Sequence, residues 1–98
     1  MNKDAAAGFL ANVLPEKAFW VNNGPILKSI SELATELKKM KTDTFMHHVN
    51  QGKNDFANWI KDVVGDGKLT KQISKLKTKE AVANMISRRI ETLKRAAR

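Results

Sequence analysis

A chain of 98 residues, 42% of them apolar and 29% charged, suits one folded core and leaves little volume for an internal substrate cavity. It has no cysteine, which excludes disulfides and thiolate metal sites, and no stretch approaches the roughly 20 apolar residues of a membrane-spanning helix. The net charge of +8 is segregated: residues 1–37 sum to −1 and residues 38–67 to +1, while residues 68–98 set ten Lys or Arg against Glu80 and Glu91 for +8.

In chain order, Asp4 is placed to cap a helix over residues 5–13, with Phe9, Leu10 and Val13 on one side. Ala5 to Ala11 has the look of a secretory core. Asp4 spoils its basic lead-in and Asn12 ends it early, so the cytoplasm is the expected location. The first 14 residues can sit loosely on the rest. After Pro15, the run Ala18-Phe19-Trp20-Val21 meets the turn signal Asn22-Asn23-Gly24-Pro25. No second strand-like run is visible to pair with it, so residues 18–22 read as an extended, partly buried connection, with Trp20 assigned to the core in preference to the surface.

Ser29-Ile30-Ser31-Glu32 forms a capping box, in which a hydroxyl and a carboxylate three residues on each satisfy a free backbone N–H. The helix it opens carries Ile30, Leu33, Ala34, Leu37 and Met40 on one stripe. Thr42 or Asp43 is expected to cap a short helix with Phe45, His48 and Val49 inward, broken at Asn50-Gln51-Gly52. Asn54 or Asp55 begins the next, with Phe56, Trp59, Ile60, Val63 and Val64 at helical spacing and Gly65 as a left-handed cap. Asp66 opens a helix carrying Leu69, Ile73 and Leu76. Thr78 caps the last and longest, with Val82, Met85, Ile86, Ile90 and Leu93 inward. The expected fold is all-α: one compact domain over residues 1–98, of five or six short helices with one extended segment near residues 18–22.

The run Phe19 to Gly24, the helix Ile30 to Met40, and above all His48-Val49-Asn50, Asn54-Asp55-Phe56, Trp59 and Gly65-Asp66 resemble a small helical domain of unknown function found in archaeal proteins. The similarity covers roughly residues 18–94. It implies an archaeal-type intracellular domain and supplies no activity.

The segregated charge carries the functional expectation. Lys68, Lys71 and Lys75 share the helix face opposite Leu69, Ile73 and Leu76, while Arg88, Lys94, Arg95 and Arg98 lie on the outward arc of the last helix. Two basic stripes on consecutive helices suit a phosphate backbone. The plainer alternative is a solvated face, with Glu91 pairing Arg88, Lys94 or Arg95, or a surface for an acidic protein. Base-specific reading is not expected, because lysines suit phosphates better than base edges.

Arg89 falls inside the apolar arc and requires a carboxylate; Asp62 and Asp66 are the candidates. His47 and His48, being adjacent, point about 100° apart on a helix and cannot share one ion. Gly65-Asp66-Gly67-Lys68-Leu69-Thr70 lacks the spacing of a phosphate loop. No catalytic residue, metal or cofactor is therefore nominated. The expectation is a non-catalytic module binding nucleic acid or a ribosome-like nucleoprotein. The alternative is a protein-interaction module using Phe19 and Trp20, and pairing of the last helix with a second copy is allowed.

Overall fold

The computed structural model describes residues 1–98, and 64% of them are helical. Six α-helices and two small antiparallel sheets follow one another in chain order. They are α1 (Lys3–Leu10), β1 (Phe19–Trp20), β2 (Ile26–Leu27), α2 (Ile30–Lys39), α3 (Thr42–His48), β3 (Val49–Asn50), β4 (Lys53–Asn54), α4 (Asp55–Trp59), α5 (Gly67–Ile73) and α6 (Lys79–Ala96). A single helical turn at Pro15–Lys17 leads into β1. The all-α expectation thus needs correction: the mostly helical body holds two hairpins.

Both were invisible to periodicity, because a strand of two residues has no alternation to read. In the first, Phe19 lies opposite Leu27 and Trp20 opposite Ile26. The turn closes through Gly24 N–H to the Val21 carbonyl (3.0 Å) and Val21 N–H to the Pro25 carbonyl (3.1 Å). Gly24 is required there, since a Cβ would stand 2.8 Å from Val21 Cγ1. In the second, Val49 and Asn50 pair with Asn54 and Lys53 across Gln51-Gly52.

The helices follow local chemistry with small shifts. Asn2, and not Asp4, caps α1 by accepting from Ala5 N–H (2.7 Å). The chain leaves the helix by Ala11, and Val13 N–H turns instead to the Lys28 carbonyl (2.8 Å). The Ser29 capping box forms: Ser29 Oγ accepts from Glu32 N–H (3.1 Å), and Glu32 Oε1 reaches back to Lys28 N–H (2.7 Å). Lys41 precedes α3 with no side-chain cap, so Thr42 and Asp43 are first-turn residues. Asn54, Asp66 and Thr78 each cap the helix that follows through the third residue's N–H. The turn Ile60–Val64 continues α4 with wider, i to i+5 bonding and ends at Gly65, whose φ of 87° is the left-handed form glycine tolerates.

α6 is the spine, with α1, α2 and α5 packed along it. The stripes of α2 (Ile30, Leu33, Ala34, Leu37) and α6 (Val82, Ile86, Ile90, Leu93) are buried as their spacing predicts. Ala6 of α1 is fully buried, with Phe9 and Leu10 against the same core. Lys79 donates to the Met40 carbonyl and so closes the open end of α2. Phe19 carries the first hairpin onto α3 and α4, its ring centroid 5.0 Å from His48, 5.0 Å from Phe56 and 5.9 Å from Trp59. Trp59 is core, and its indole N–H donates to the Lys17 carbonyl (2.8 Å).

Candidate nucleic-acid interface

The cations of the last third depend on one buried ion pair for their placement. Arg89 is only 6% exposed and Asp66 only 1%. Arg89 Nε donates to Asp66 Oδ2 (2.7 Å) and its Nη2 to Oδ1 (3.0 Å), a two-pronged fit of guanidinium to carboxylate. The same Oδ1 accepts from Leu69 N–H (3.2 Å), so Asp66 caps α5 and holds α6 at once. Of the two candidate partners of Arg89, Asp66 is the one engaged, while Asp62 is exposed. This clamp fixes the start of α5 beside the middle of α6.

Lys68, Lys71 and Lys75 are all exposed; the 3.6-residue period places Lys68 and Lys71 of α5 within about 60° of one another, away from Leu69 and Ile73, and Lys75 lies in the turn that follows the helix. Arg88, Lys94 and Arg95 of α6 are also exposed, as is Arg98 just beyond its end. Arg88 and Arg95 stand within about 20° of each other on the outward arc. Lys94 lies on the other flank, about 140° around the helix from Arg89, and Arg98 follows the end of α6. The helical period therefore sets Lys68 beside Lys71 on α5 and Arg88 beside Arg95 on α6, with Lys94 on the other flank of α6. Lys94 alone of the seven meets a carboxylate, Glu91 Oε1 at 4.0 Å; none of the others has one within that distance.

The first hairpin corrects two assignments. Phe19 is buried and offers no contact surface, whereas Trp20 is 72% exposed and not core. The reason is the two-residue period of a strand. With Phe19 and Val21 turned inward, the residue between them must face out, beside its cross-strand neighbour Ile26, itself 48% exposed. Ile26 also walls an open groove of about 420 Å³ against α2, floored by Ser31, Glu32, Thr35 and Glu36. Sequence reasoning missed this apolar pair because it missed the strand that supplies Ile26.

His48 is buried at 4% exposure and has both ring nitrogens occupied. Nδ1 lies 2.9 Å from Asp55 Oδ2, and Nε2 accepts the Asn22 backbone N–H at 3.0 Å. An acceptor Nε2 makes Nδ1 the protonated nitrogen, donating to Asp55. Lys53 Nζ also holds Asp55 Oδ2 (3.0 Å). Partial burial pushes the Asp55 carboxyl up, but the hydrogen bonds from His48 and Lys53 and the charge of Lys53 outweigh this and hold it below its ordinary value. Since the imidazole is packed against Phe19 and Phe56 with its lone pair already used, it is not placed to take a proton from a substrate. His47 is exposed beside it, and no three His, Asp or Glu side chains converge as a metal site.

No protein-family model, curated protein or solved structure matches the chain. Its function must be argued from its own surfaces. No helix is long and apolar enough to cross a membrane.

Proposed function

We propose that the chain is a small non-catalytic module that docks on nucleic acid, or on a nucleoprotein such as the ribosome, through the basic faces of α5 and α6. One observation supports this most: Lys68, Lys71, Lys75, Arg88, Arg95 and Arg98 are exposed and lack any carboxylate partner, on or just beyond two helices clamped together by Asp66 and Arg89. Unneutralised cations on rigid neighbouring helices displace condensed counterions from a phosphate backbone and read little of its sequence. Lys68, Lys71, Lys75, Arg88 and Arg95 form the centre of the interface, and Lys94 and Arg98 its margin. In this proposal the resemblance read from residues 18–94 to an archaeal helical domain is taken to imply an intracellular setting, and it supplies no chemistry.

Binding to duplex and single-stranded oligonucleotides across about 50–200 mM salt tests it, with log affinity expected to fall by about 0.9 per neutralised phosphate for each unit of log salt on duplex DNA. Charge reversal at Lys71, Lys75 and Arg88 should lower affinity and flatten that slope together. Absence of binding at about 50 mM salt, or an affinity indifferent to salt, overturns the proposal.

A second reading, a protein-interaction module, is favoured by the exposed Trp20–Ile26 pair beside the α2 groove. It predicts that Trp20→Ala abolishes partner capture while the charge reversals leave it intact.

A further inference from the structure

The hydrogen bond from Asn22 N–H to His48 Nε2 joins residues 26 positions apart, and it is the bond that ties the tip of the first hairpin to α3. We infer that it is an acid-sensitive latch, holding the Asn22–Pro25 turn closed while the imidazole is neutral and releasing it when the imidazole takes a second proton.

The reason lies in what each ring nitrogen faces. In the neutral ring the Nε2 lone pair accepts the Asn22 amide at 3.0 Å and Nδ1–H donates to Asp55 at 2.9 Å. A proton arriving from solvent can add only at Nε2. It would turn that contact into two N–H donors facing each other, a geometry with no acceptor. The imidazolium and the Asn22 amide cannot both stay where they are.

The surroundings determine which of them moves. The charged or titratable groups around the ring are Asp55 of α4, Lys53 of β4 acting through Asp55, and His47 on its own helix, with ring centroids 4.9 Å apart. β1 contributes only the Phe19 ring and the turn only the Asn22 amide, neither charged. Asp55 keeps its hold on Nδ1 in either state and gains attraction for the imidazolium, so the ring stays anchored. Phe19 and Phe56 pack against it, with ring centroids at 5.0 and 5.3 Å.

Asn22, by contrast, is only half-buried, so water can receive its amide once it leaves. The bonds Gly24 N–H to Val21 and Val21 N–H to Pro25 hold the base of the turn on buried Val21, so it is the Asn22 peptide at its tip that moves. Its displacement alters the outward face of the hairpin, where Trp20 stands two residues away. The latch therefore couples proton concentration to the presentation of the chain's most exposed aromatic side chain, whatever that side chain contacts.

The test is a pH titration of the full chain by nuclear magnetic resonance between about pH 8 and 5. The Asn22 amide should shift and lose roughly tenfold in exchange protection, as expected for one lost hydrogen bond, with the midpoint of the His48 ring protons. Amides of α2 and α6 should keep their protection. His48→Gln, whose side-chain oxygen can accept from Asn22 at every pH, should leave the Asn22 amide indifferent to pH, while His47→Gln should leave the wild-type response in place. An Asn22 amide that stays protected while His48 titrates overturns the latch. So does a His48 that takes no proton until the whole chain unfolds, and both outcomes are read on the wild-type chain alone.

Discussion

The first hairpin and the α5–α6 pair answer the same problem, a polar group inside a small core, in opposite ways. Between α5 and α6, Arg89 and Asp66 are both almost wholly buried and satisfy each other through two bonds, with Leu69 N–H using the acceptor that remains. At the hairpin, His48 is buried but its chain of partners runs outward, through Asp55 to the exposed Lys53 and through Asn22 to a half-exposed turn. A closed pair is a fixed joint, since loss of either member leaves a charge stranded. A chain open to solvent can exchange a partner for water or a proton. The rigid joint carries the cationic faces, and the adjustable contact carries the exposed tryptophan.

Breaking the closed pair should have the largest effect. Arg89→Met leaves the Asp66 carboxylate buried with only the α5 cap, and should cost about 3–5 kcal/mol in urea unfolding. Adding Asp66→Asn should recover part of that loss, because the stranded charge is then gone while the cap's oxygen is kept. If the single variant unfolds within about 1 kcal/mol of the wild type, the two regions do not differ in the way argued.

The open chain should respond more mildly. Asp55→Asn retains an oxygen for His48 Nδ1–H but loses the charge, and should cost about 1 kcal/mol at neutral pH. The pH dependence has a definite sign. The Asp55 carboxyl lies below its ordinary value in the folded chain, so its stabilisation is complete above the unfolded value and fades as pH falls through the lowered folded one. Chemical denaturation at pH values below the ordinary carboxyl value of about 3.9 should therefore show the variant's stability converging on the wild type's. A gap that widens instead would contradict the sign.

Trp20→Ala should have the smallest effect, within about 0.5 kcal/mol in stability, since most of the side chain is already in water. A larger loss would mean that the hairpin's outward face supports the fold as well as facing the solvent.

Much of the helical body was legible in the chain. The α2 and α6 stripes, the Ser29 box, the caps at Asn54, Asp66 and Thr78 and the Gly65 terminator all rest on residues three to five apart, where sequence spacing and spatial neighbourhood coincide. The exposure of the seven cations followed from the same periodicity. Trp20 did not follow, because its orientation depends on a two-residue partner strand whose only local signal is the turn before it. The arrangement of the cations around α6 was legible only in outline, since their distance from α5 depends on which side of α6 the Asp66 clamp grips.

The sequence by itself determined where the helices lie, what face each buries, and that the positive charge belongs to the last third. Only the tertiary structure decided the contacts between distant positions: Arg89 with Asp66 across 23 residues, His48 with Asn22 across 26, and Trp59 with Lys17 across 42. The physical reason is that a helix repeats its neighbours every 3.6 residues, so its faces are written locally. A buried polar group takes whichever partner the packed core brings within hydrogen-bonding reach, and that choice exists only once the helices have assembled.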